Sequence, residues 1–309
     1  MCRDYPAALQ TSGDFLINTN KMAKQKERLD KKLVELGFFD SREKAKKSIM
    51  AGLVEIDGIV HTKAGDQVPA VLSKEQVTLK GEGLPYVSRG GFKLEKGLKV
   101  FDFPVQDRWF LDIGASTGGF TDVLLQNGAG HVTSIDVGYG QFDWKLRNDE
   151  RVTCMERTNF RKTTPEDIGG LADGSVMDVS FISILKLMPA ISRCVKNGAL
   201  GIWLIKPQFE AGKENVGKNG VVRDPEIHKK VLIETTSGIE VNGFSVLGLS
   251  FSPIRGPKGN IEFLCFSRKE GEGVPVDHQE AISGIDSIAA LVESAHEHFR
   301  HHGQGSETS

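Results

Sequence analysis

Apolar residues recur along this chain with two periods, and the change from one period to the other divides it. Between residues 28 and 50 they follow a helical spacing that is interrupted at Gly37 and resumes after Ser41, a favourable N-cap. Two short alternating runs, at 53–56 and 59–61, then flank an Asp-Gly pair that is typical of a tight hairpin turn. The pattern predicts two short helices and a hairpin.

From residue 109 apolar strands alternate with helical patterns, which favours a Rossmann-like, doubly wound α/β sheet. Seven strands are predicted, at 109–113, 131–136, 152–155, 176–181, 199–206, 244–251 and 261–267. The intervening helices are predicted near 119–127, 142–148, 184–195 and 225–241. Only residues 252–260 join the last two strands, too few for a helical crossover, so this pair is predicted to be antiparallel.

The stretches outside these two patterns set the expected boundaries. Residues 1–23 have no periodicity and are expected to be an extension without a fold of its own. The other limits are predicted as a small α+β domain at 24–80, a linker at 81–92, the α/β body at 93–269 and an acidic tail at 270–309. One amphipathic helix is predicted within the tail, near 281–299, and we expect it to be exposed.

Charge separates the same two parts. The net charge is −2, yet residues 21–99 carry 17 Lys and Arg against 11 Asp and Glu, whereas residues 100–309 carry 21 against 28. A basic module on an acidic body suggests that the module meets a polyanion, the alternative being an ordinary solvated helix face. The histidines near the C-terminus lack thiols or a fixed spacing, so no metal site is predicted.

No apolar run is long enough to span a membrane, and the first residues do not resemble a signal peptide. The four cysteines lie far apart and form no Cys-x-x-Cys pair. Free thiols in a reducing compartment are the simpler interpretation. We therefore expect a cytoplasmic protein that does not bind membranes.

The segment LDIGASTGGFTD, residues 111–122, joins a predicted strand to a predicted helix through a glycine-rich turn. Such a turn lets the backbone pass close to a ligand, and Asp136, which ends the next strand, can accept hydrogen bonds from both ribose hydroxyls. A nucleotide-like ligand is expected here. A nicotinamide dinucleotide is the rival, but the turn lacks the G-x-G-x-x-G spacing.

Four ionisable residues stand at predicted strand ends or on the helix that leads into the body. They are Lys93, Asp178, Lys206 and Glu262. In an open α/β sheet the ligand crevice lies outside the carboxyl ends of the strands, so the four are candidates for one site. A structural salt bridge, such as Lys206 with Asp178, is the alternative for any one of them.

The basic module resembles an S4-type RNA-binding domain over about residues 28–75. The resemblance rests on an Arg-Leu-Asp opening, a Ser-Arg-x-x-Ala second helix and a Gly-x-Val hairpin, in that order. It implies contacts between cations and RNA phosphates, which are blind to sequence and sensitive to salt. The candidate RNA-binding residues are Arg28, Lys31, Lys32, Arg42, Lys44, Lys46 and Lys47, with Arg89 ahead of the body.

The strings SRGGFKL, DVSFIS, LIKPQFE and GNIEF, following an S4 module, resemble the TlyA family over roughly residues 24–268. These are hemolysin A-like, S4-linked rRNA ribose 2′-O-methyltransferases with an FtsJ/RrmJ-like body. The resemblance implies a catalytic tetrad of Lys93, Asp178, Lys206 and Glu262, S-adenosylmethionine as cofactor, and ribosomal RNA or ribosomal subunits as partners of a monomer or weak oligomer. The implied cofactor-binding residues are Gly114, Ser116, Gly118, Gly119, Phe120 and Asp136. Ser116-Thr117 replaces the usual small residue and proline.

The chemistry of the expected reaction explains the tetrad. A ribose hydroxyl is too weakly acidic to attack a methyl sulfonium unaided, and a lysine crowded by a second cation can act as a base or hold the alkoxide. We hypothesise that Lys206 has this role and that Lys93 assists it. Residues 156–160 are expected on the adenine side. Residues 206–224 are interpreted as a substrate-side flap, the alternative being a mobile insertion without a function. The alternatives are a non-catalytic RNA-binding protein and, less favoured, a hemolysin.

Overall fold

The computed structural model describes residues 26–57, 59–79, 85–271 and 285–301, so the expected N-terminal extension lies outside the described residues. The chain separates into two compact units, one ending at Pro85 and the other beginning at Tyr86. The first unit contains strands β1 to β5 and helices α1 and α2. Their bounds are Lys26–Arg28 (β1), Leu29–Glu35 (α1), Arg42–Met50 (α2), Val54–Ile56 (β2), Ile59–His61 (β3), Gln67–Pro69 (β4) and Val77–Leu79 (β5).

The helices and hairpin predicted for the first unit are present. The Ser41 side chain accepts a hydrogen bond from the amide of Lys44 and caps α2. Strands β2 and β3 pair antiparallel, and β5 lies on the other side of β2. Helices and strands share one core, which includes Leu29, Leu33 and Ile49 with no exposed surface.

The second unit is a seven-stranded sheet covered by helices. Its strands are Trp109–Ile113 (β6), His131–Ile135 (β7), Val152–Met155 (β8), Ala172–Met177 (β9), Val195–Ile205 (β10), Phe244–Phe251 (β11) and Phe263–Lys269 (β12). Its helices are Gly91–Val100 (α3), Gly119–Gln126 (α4), Trp144–Arg147 (α5), Pro165–Ile168 (α6), Met188–Cys194 (α7), Pro207–Glu210 (α8), Pro225–Val241 (α9) and Ile285–His301 (α10).

The strand order is β11-β12-β10-β9-β6-β7-β8. Strands β6 to β10 pair in parallel, whereas β12 is antiparallel to both β10 and β11. This confirms the predicted doubly wound sheet with an antiparallel last pair. The order reverses direction between β9 and β6, and ligands of such sheets bind at that point, outside the carboxyl ends of the strands.

Two apolar cores cover the two faces of the sheet. One contains Trp203, Phe244 and Phe263, and the other contains Phe110, Leu124 and Leu204. Tyr86 and Val87, which fall in the predicted linker, pack into the second core. In the part of the chain that the structure describes, no helix has both the length and the apolarity required to cross a bilayer.

The C-terminal helix α10 is part of the body, so the expectation of an exposed helical tail is wrong for this segment. Ile288, Val292, Ala295 and Phe299 are buried in the first core, and α10 packs against α9 and β11. The spacing of these four residues places them on one side of the helix. Glu293 and Glu297, two acidic residues of α10, are exposed on its other sides.

Candidate active site

The glycine-rich turn after β6 passes close to two neighbouring strands. Gly114 has a φ of 83°, and its amide donates a hydrogen bond to the carbonyl oxygen of Ile135 over 2.8 Å. A Cβ atom on Gly114 would lie 2.9 Å from the carbonyl oxygen of Asp178. Both the left-handed backbone and the close approach therefore require glycine here, at the point where the sheet reverses.

The next two glycines serve packing within the protein. Gly118 has a φ of 93°, and a Cβ there would collide with the side chain of Leu146. A Cβ on Gly119 would collide with the hydroxyl of Ser88. The sequence identified both as cofactor-binding residues, but the structure places Gly118 against Leu146 and Phe142, and only Gly119 at a cavity.

Asp136 follows β7, as the sequence predicts, and its carboxylate is already engaged by the backbone. One oxygen accepts from the amide of Ser116 over 2.8 Å and the other from the amide of Gly138 over 2.6 Å. Each carboxylate oxygen can accept more than one hydrogen bond, so Asp136 retains capacity for ribose hydroxyls. Asp136 and Ser116 both line a cavity of about 440 Å³.

Two cavities adjoin the glycine-rich turn. The larger, of about 440 Å³, lies beside Asp136 and is also lined by Val137, Thr158, Asn159 and Phe160. The smaller, of about 220 Å³, is lined by Ser88, Arg89, Lys93, Asp112, Phe120 and Lys206. Gly114, Ser116, Asp178 and Ser180 line both. Residues 156–160, expected on the adenine side, thus contribute three side chains to the larger cavity, and Phe120 belongs to the smaller one.

Asp112 is a buried carboxyl group that the sequence analysis did not single out. Its Oδ2 accepts hydrogen bonds from the amide and the hydroxyl of Thr121, at 3.0 and 2.6 Å, while its Oδ1 is buried without a hydrogen-bond partner. Burial raises the pKa of Asp112 to about 7 despite the hydrogen bonds from Thr121. A cationic or hydrogen-bond-donating ligand in the smaller cavity would satisfy Oδ1.

The four predicted catalytic residues converge on one spot although they come from four different elements. Lys93 Nζ lies 2.6 Å from Glu262 Oε2 and 3.2 Å from Asp178 Oδ2. Lys206 Nζ lies 2.6 Å from Asp178 Oδ1. The salt bridge considered for Lys206 and Asp178 is present, but as one part of a four-membered network.

Burial and charge oppose each other in this network. Burial alone would raise the pKa of Asp178, but the charges of Lys93 and Lys206 hold it below its usual range. Burial alone would likewise lower the pKa of Lys93, but Asp178 and Glu262 raise it. Both groups therefore stay charged at neutral pH. Buried ion pairs contribute little net stability, which favours a functional reason for this arrangement.

Two polar residues that sequence reasoning missed complete the network. Ser180 Oγ accepts a hydrogen bond from Lys206 over 3.1 Å, and Gln208 donates to Glu262 over 3.3 Å. Ser180 stands two residues after Asp178, and Gln208 two residues after Lys206. This spacing is the only sequence signal that could have indicated them.

Phe181 is an aromatic side chain left in solvent beside the network. It is 92% exposed and has a φ of 66°, unusual for a bulky residue. Its ring centroid lies 5.3 Å from that of Phe209, whose ring lies 5.9 Å from Lys206 Nζ. Strained, exposed aromatic residues at a cavity rim are candidates for contact with a ligand.

The 206–224 segment, interpreted from the sequence as a flap, is held at two places. Near its start, Glu210 accepts a hydrogen bond from the amide of Ile184 over 2.9 Å. Near its end, the amide of Val222 donates to the side chain of Asn260 over 3.0 Å. The segment therefore has defined contacts with the loops that follow β9 and precede β12.

All the candidate RNA-binding cations except Arg89 lie on the first unit. Arg28 and Arg42 both pair with Asp30, Lys31 pairs with Glu27, and Lys44 pairs with Asp40. Lys46 and Lys47 are exposed on α2. Lys32 is buried and paired with Glu35, so the structure does not support it as a phosphate contact. Arg89 lies on the second unit, at the smaller cavity.

Comparison with known proteins matches both units. The profile of the FtsJ-like methyltransferases matches residues 86–269, and that of the S4 domain matches residues 27–70. YqxC of Bacillus subtilis is 49% identical over 276 residues, which are 89% of this chain and 96% of YqxC. A solved structure from Streptococcus thermophilus that carries a hemolysin name is 46% identical, with a TM-score of 0.70 over 90% of this chain and 98% of that one.

A relative from Mycobacterium tuberculosis is named 16S/23S rRNA (cytidine-2′-O)-methyltransferase TlyA. It is 44% identical over 243 residues, which are 79% of this chain and 90% of that protein. The tetrad, the glycine-rich turn and the S4 unit all fall within or beside the matched regions. The chain therefore belongs to the TlyA family of FtsJ-like methyltransferases that carry an S4 domain.

Proposed function

We propose that this protein transfers the methyl group of S-adenosylmethionine to a ribose 2′-hydroxyl of ribosomal RNA, on a cytidine. The observation that supports this proposal most is the network in which Lys93 and Lys206 share Asp178, beside two cavities that have four lining residues in common. We further propose that it acts in the cytoplasm, on ribosomal RNA or subunits, as a monomer or weak oligomer. The name of the M. tuberculosis relative supports cytidine as the methylated nucleotide.

The cavities fit the expected cofactor. Asp136 stands where ribose hydroxyls can be accepted, and Thr158, Asn159 and Phe160 line the same cavity on the adenine side. The unpartnered Oδ1 of Asp112 suits a positively charged ammonium group in the smaller cavity. When bound, S-adenosylmethionine supplies a methyl group activated by a positively charged sulfur atom.

Lys206 is the residue proposed to act on the hydroxyl. Its Nζ is almost buried, paired with Asp178, and lines the smaller cavity. An ammonium there can donate a hydrogen bond to the ribose oxygen and stabilise the negative charge that develops on it. In its neutral form the same group can accept the hydroxyl proton. Ser180 and Asp178 fix the position of Nζ by their contacts.

Lys93 and Glu262 form the supporting half of the network. Lys93 keeps its charge because two carboxylates surround it, and together with Lys206 it balances their negative charge. Its influence on Lys206 passes through their shared partner Asp178. Glu262 is fully buried, and its other carboxylate oxygen accepts a hydrogen bond from the side chain of Gln208. These residues align the reacting groups, which matters most in an in-line displacement.

An assay with labelled S-adenosylmethionine tests this proposal. The protein is incubated with unmethylated ribosomal subunits and with naked rRNA, and the label is mapped to a nucleotide. Incorporation at a cytidine ribose is the expected result, and it should disappear in the Lys206→Ala variant, whose affinity for S-adenosylmethionine should be retained. Absence of incorporation with every substrate would instead favour an RNA-binding protein without catalytic activity.

A further inference from the structure

Helix α10 lies beyond the residues matched by the methyltransferase profile, which end at 269, yet it is integrated in the body. Val292 and Ala295 have no exposed surface, and Phe299 is almost buried. Phe299 also packs against Phe251, the last residue of β11, with 6.3 Å between ring centroids. The end of α10 therefore lies beside the loop that follows β11.

That loop, residues 252–262, carries the catalytic Glu262 and determines where its carboxylate lies. The amide of Ser252 donates to the carbonyl of Glu262, and the amide of Gly256 donates to the carbonyl of Asn260, both over 2.9 Å. A Cβ on Gly256 would collide with Oε1 of Glu262. The backbone at Gly256 thus forms one wall against the carboxylate, and any displacement of the loop moves that wall.

Arg255 connects this loop to α10. Its Nη1 donates to the carbonyl of Gly259 over 3.1 Å, and its Nη2 donates to the carbonyl of Phe299 over 3.3 Å. The guanidinium lies 5.0 Å from the centroid of the Phe299 ring, within the range of a cation–π contact. One side chain therefore joins the loop, beside Gly256, to the last turns of α10.

The same loop also holds the 206–224 segment. Asn260 accepts a hydrogen bond from the amide of Val222 over 3.0 Å and donates to the carbonyl of Gly220 over 2.9 Å. Lys258, between Arg255 and Asn260, has a φ of 63°, a conformation that non-glycine residues adopt only where the surrounding structure imposes it. The loop is thus fixed from two sides, by α10 and by the segment that follows Lys206.

We propose that α10 is a positioning element of the catalytic centre, which acts through Arg255 on the loop that carries Glu262. The role rests on the proposed methyl transfer, and it assigns a task to a helix outside the matched methyltransferase region. Arg255 and Phe299 do not touch the reacting atoms. Their removal should allow the Gly256 wall to shift, and with it the carboxylate that holds Lys93.

Three variants test this role: Arg255→Ala, Arg255→Lys and Glu297→Ala, the last being an exposed position on α10 that serves as the control. Arg255→Ala should lower kcat about tenfold, since small misplacements at a reacting centre are costly. KM for rRNA and the affinity for S-adenosylmethionine should stay within about twofold, because neither binding surface is altered. The lysine of Arg255→Lys can reach only one of the two carbonyls, so the kcat of this variant should lie between those of Arg255→Ala and wild type. The kcat of Glu297→Ala should equal that of wild type.

Amide hydrogen exchange provides a readout that does not require activity. In Arg255→Ala, the amides of Ser252 and Gly256 should exchange faster than in wild type, while the amide of Asp178, which donates to Ile113 in the sheet, should serve as an unchanged reference. Unchanged exchange in the loop, or faster exchange with a wild-type kcat, would overturn the role of α10. A wild type without methyltransferase activity would overturn the proposed function instead, and the exchange rates would still decide whether α10 holds the loop.

Discussion

Asp30 in the S4 unit and Asp178 in the methyltransferase body each lie between two cations. The two arrangements differ in whether those cations are exposed to solvent or buried. At Asp30 the carboxylate is buried, while the side chains of Arg28 and Arg42 are 51% and 57% exposed. At Asp178 the side chains of Lys93 and Lys206 are only 7% and 6% exposed. The same pairing therefore presents cations to solvent in one unit and removes them from it in the other.

Under the proposed function, this difference in exposure distinguishes cations that bind RNA from cations that act in catalysis. Hydrogen bonding from Arg28 lowers the pKa of Asp30 to about 2, so Asp30 remains a fixed anion that orients two arginines at the surface. Exposed cations interact with phosphate over long range and are screened by salt. Buried cations are only slightly screened, and removal of one leaves the others uncompensated. We therefore expect equivalent substitutions to have very different effects in the two places.

The largest expected difference comes from exchanging lysine and arginine in both places. Lys206→Arg keeps the positive charge but replaces a compact ammonium with a planar group that cannot lose its proton. It should lower kcat about 10³-fold, the contribution of a lost acid–base group. Arg42→Lys keeps a surface charge and should change the affinity for ribosomal subunits by no more than about twofold. Single-turnover rates measure the loss of methyl transfer in Lys206→Arg, and filter binding measures the loss of affinity in Arg42→Lys. Losses of similar size would contradict the distinction between exposed and buried cations.

A third arrangement, a histidine pair whose first member is buried, should appear in the pH dependence of stability. His228 has no exposed surface, and its Nδ1 lies 2.9 Å from Nε2 of His296 on α10. Burial, and then the proximity of His296, lower the pKa of His228 to about 4. The charged groups around the pair are Asp224 at the start of α9, and Arg255 and Arg300 beside His296.

The sign of this effect follows from linkage. Between pH 6.5 and 4 the unfolded chain binds a proton at His228 that the folded chain does not, so stability should decrease as the pH falls through this window. The contribution should be about 3 kcal/mol, given a folded-state pKa of about 4 for His228. In His228→Gln this decrease should be smaller by that amount. Urea unfolding followed by tryptophan fluorescence measures it in the body, which contains Trp109, Trp144 and Trp203; equal pH slopes for variant and wild type would contradict the assignment.

The double variant Arg28→Ala/Arg42→Ala tests whether the exposed arginines contact phosphate. Loss of two phosphate contacts should weaken binding to ribosomal subunits about tenfold at low salt and reduce the salt slope by about two. With saturating subunits kcat should remain that of wild type. Lys32→Ala, at the buried lysine, is the matched comparison and should leave the salt slope unchanged. A lower kcat for the double variant would show that the first unit also participates in the chemistry.

The smallest expected effect concerns Phe181, the exposed ring beside Lys206. Stacking of a nucleobase on an aromatic side chain contributes about 1 kcal/mol or more. Phe181→Ala should therefore lower kcat/KM about fivefold, whereas Phe181→Trp should retain most of it. Transfer to rRNA and affinity for S-adenosylmethionine would be measured in parallel. If the affinity fell and transfer from the bound cofactor did not, Phe181 would belong to the cofactor site instead.

The sequence was sufficient for the architecture because strands and helices follow different apolar periods. It misplaced the start of β9, which lies at Ala172 rather than 176, because Ala-Asp-Gly-Ser carries no apolar signal and is a strand only through pairing with its neighbours. It also misjudged α10, since acidic residues on the outer sides concealed the stripe from Ile288 to Phe299. In both cases long-range packing determined the outcome.

In the site, too, the residues within local motifs could be predicted and those that depend on long-range contacts could not. Motif resemblance identified Lys93, Asp178, Lys206 and Glu262, and the structure brings them together. It missed Asp112, whose unpartnered oxygen has no counterpart in local spacing, and Gln208, whose position two residues after Lys206 becomes significant only through its hydrogen bond to Glu262. Gly118 is a residue that the motif identified and whose structural role only the fold reveals. Its position requires glycine because of its φ of 93°, and its nearest side chain is that of Leu146.

The burial of Val292, Ala295 and Phe299 has a genetic consequence. A premature stop codon shortly after Lys269 would leave every member of the tetrad in the translated product, together with the whole sheet. It would nonetheless expose the apolar surface of β11 and α9 that α10 covers. Truncating alleles should therefore be inactive as far downstream as the codons of α10, and loss-of-function mutations should be spread along the gene rather than confined to its conspicuous motifs.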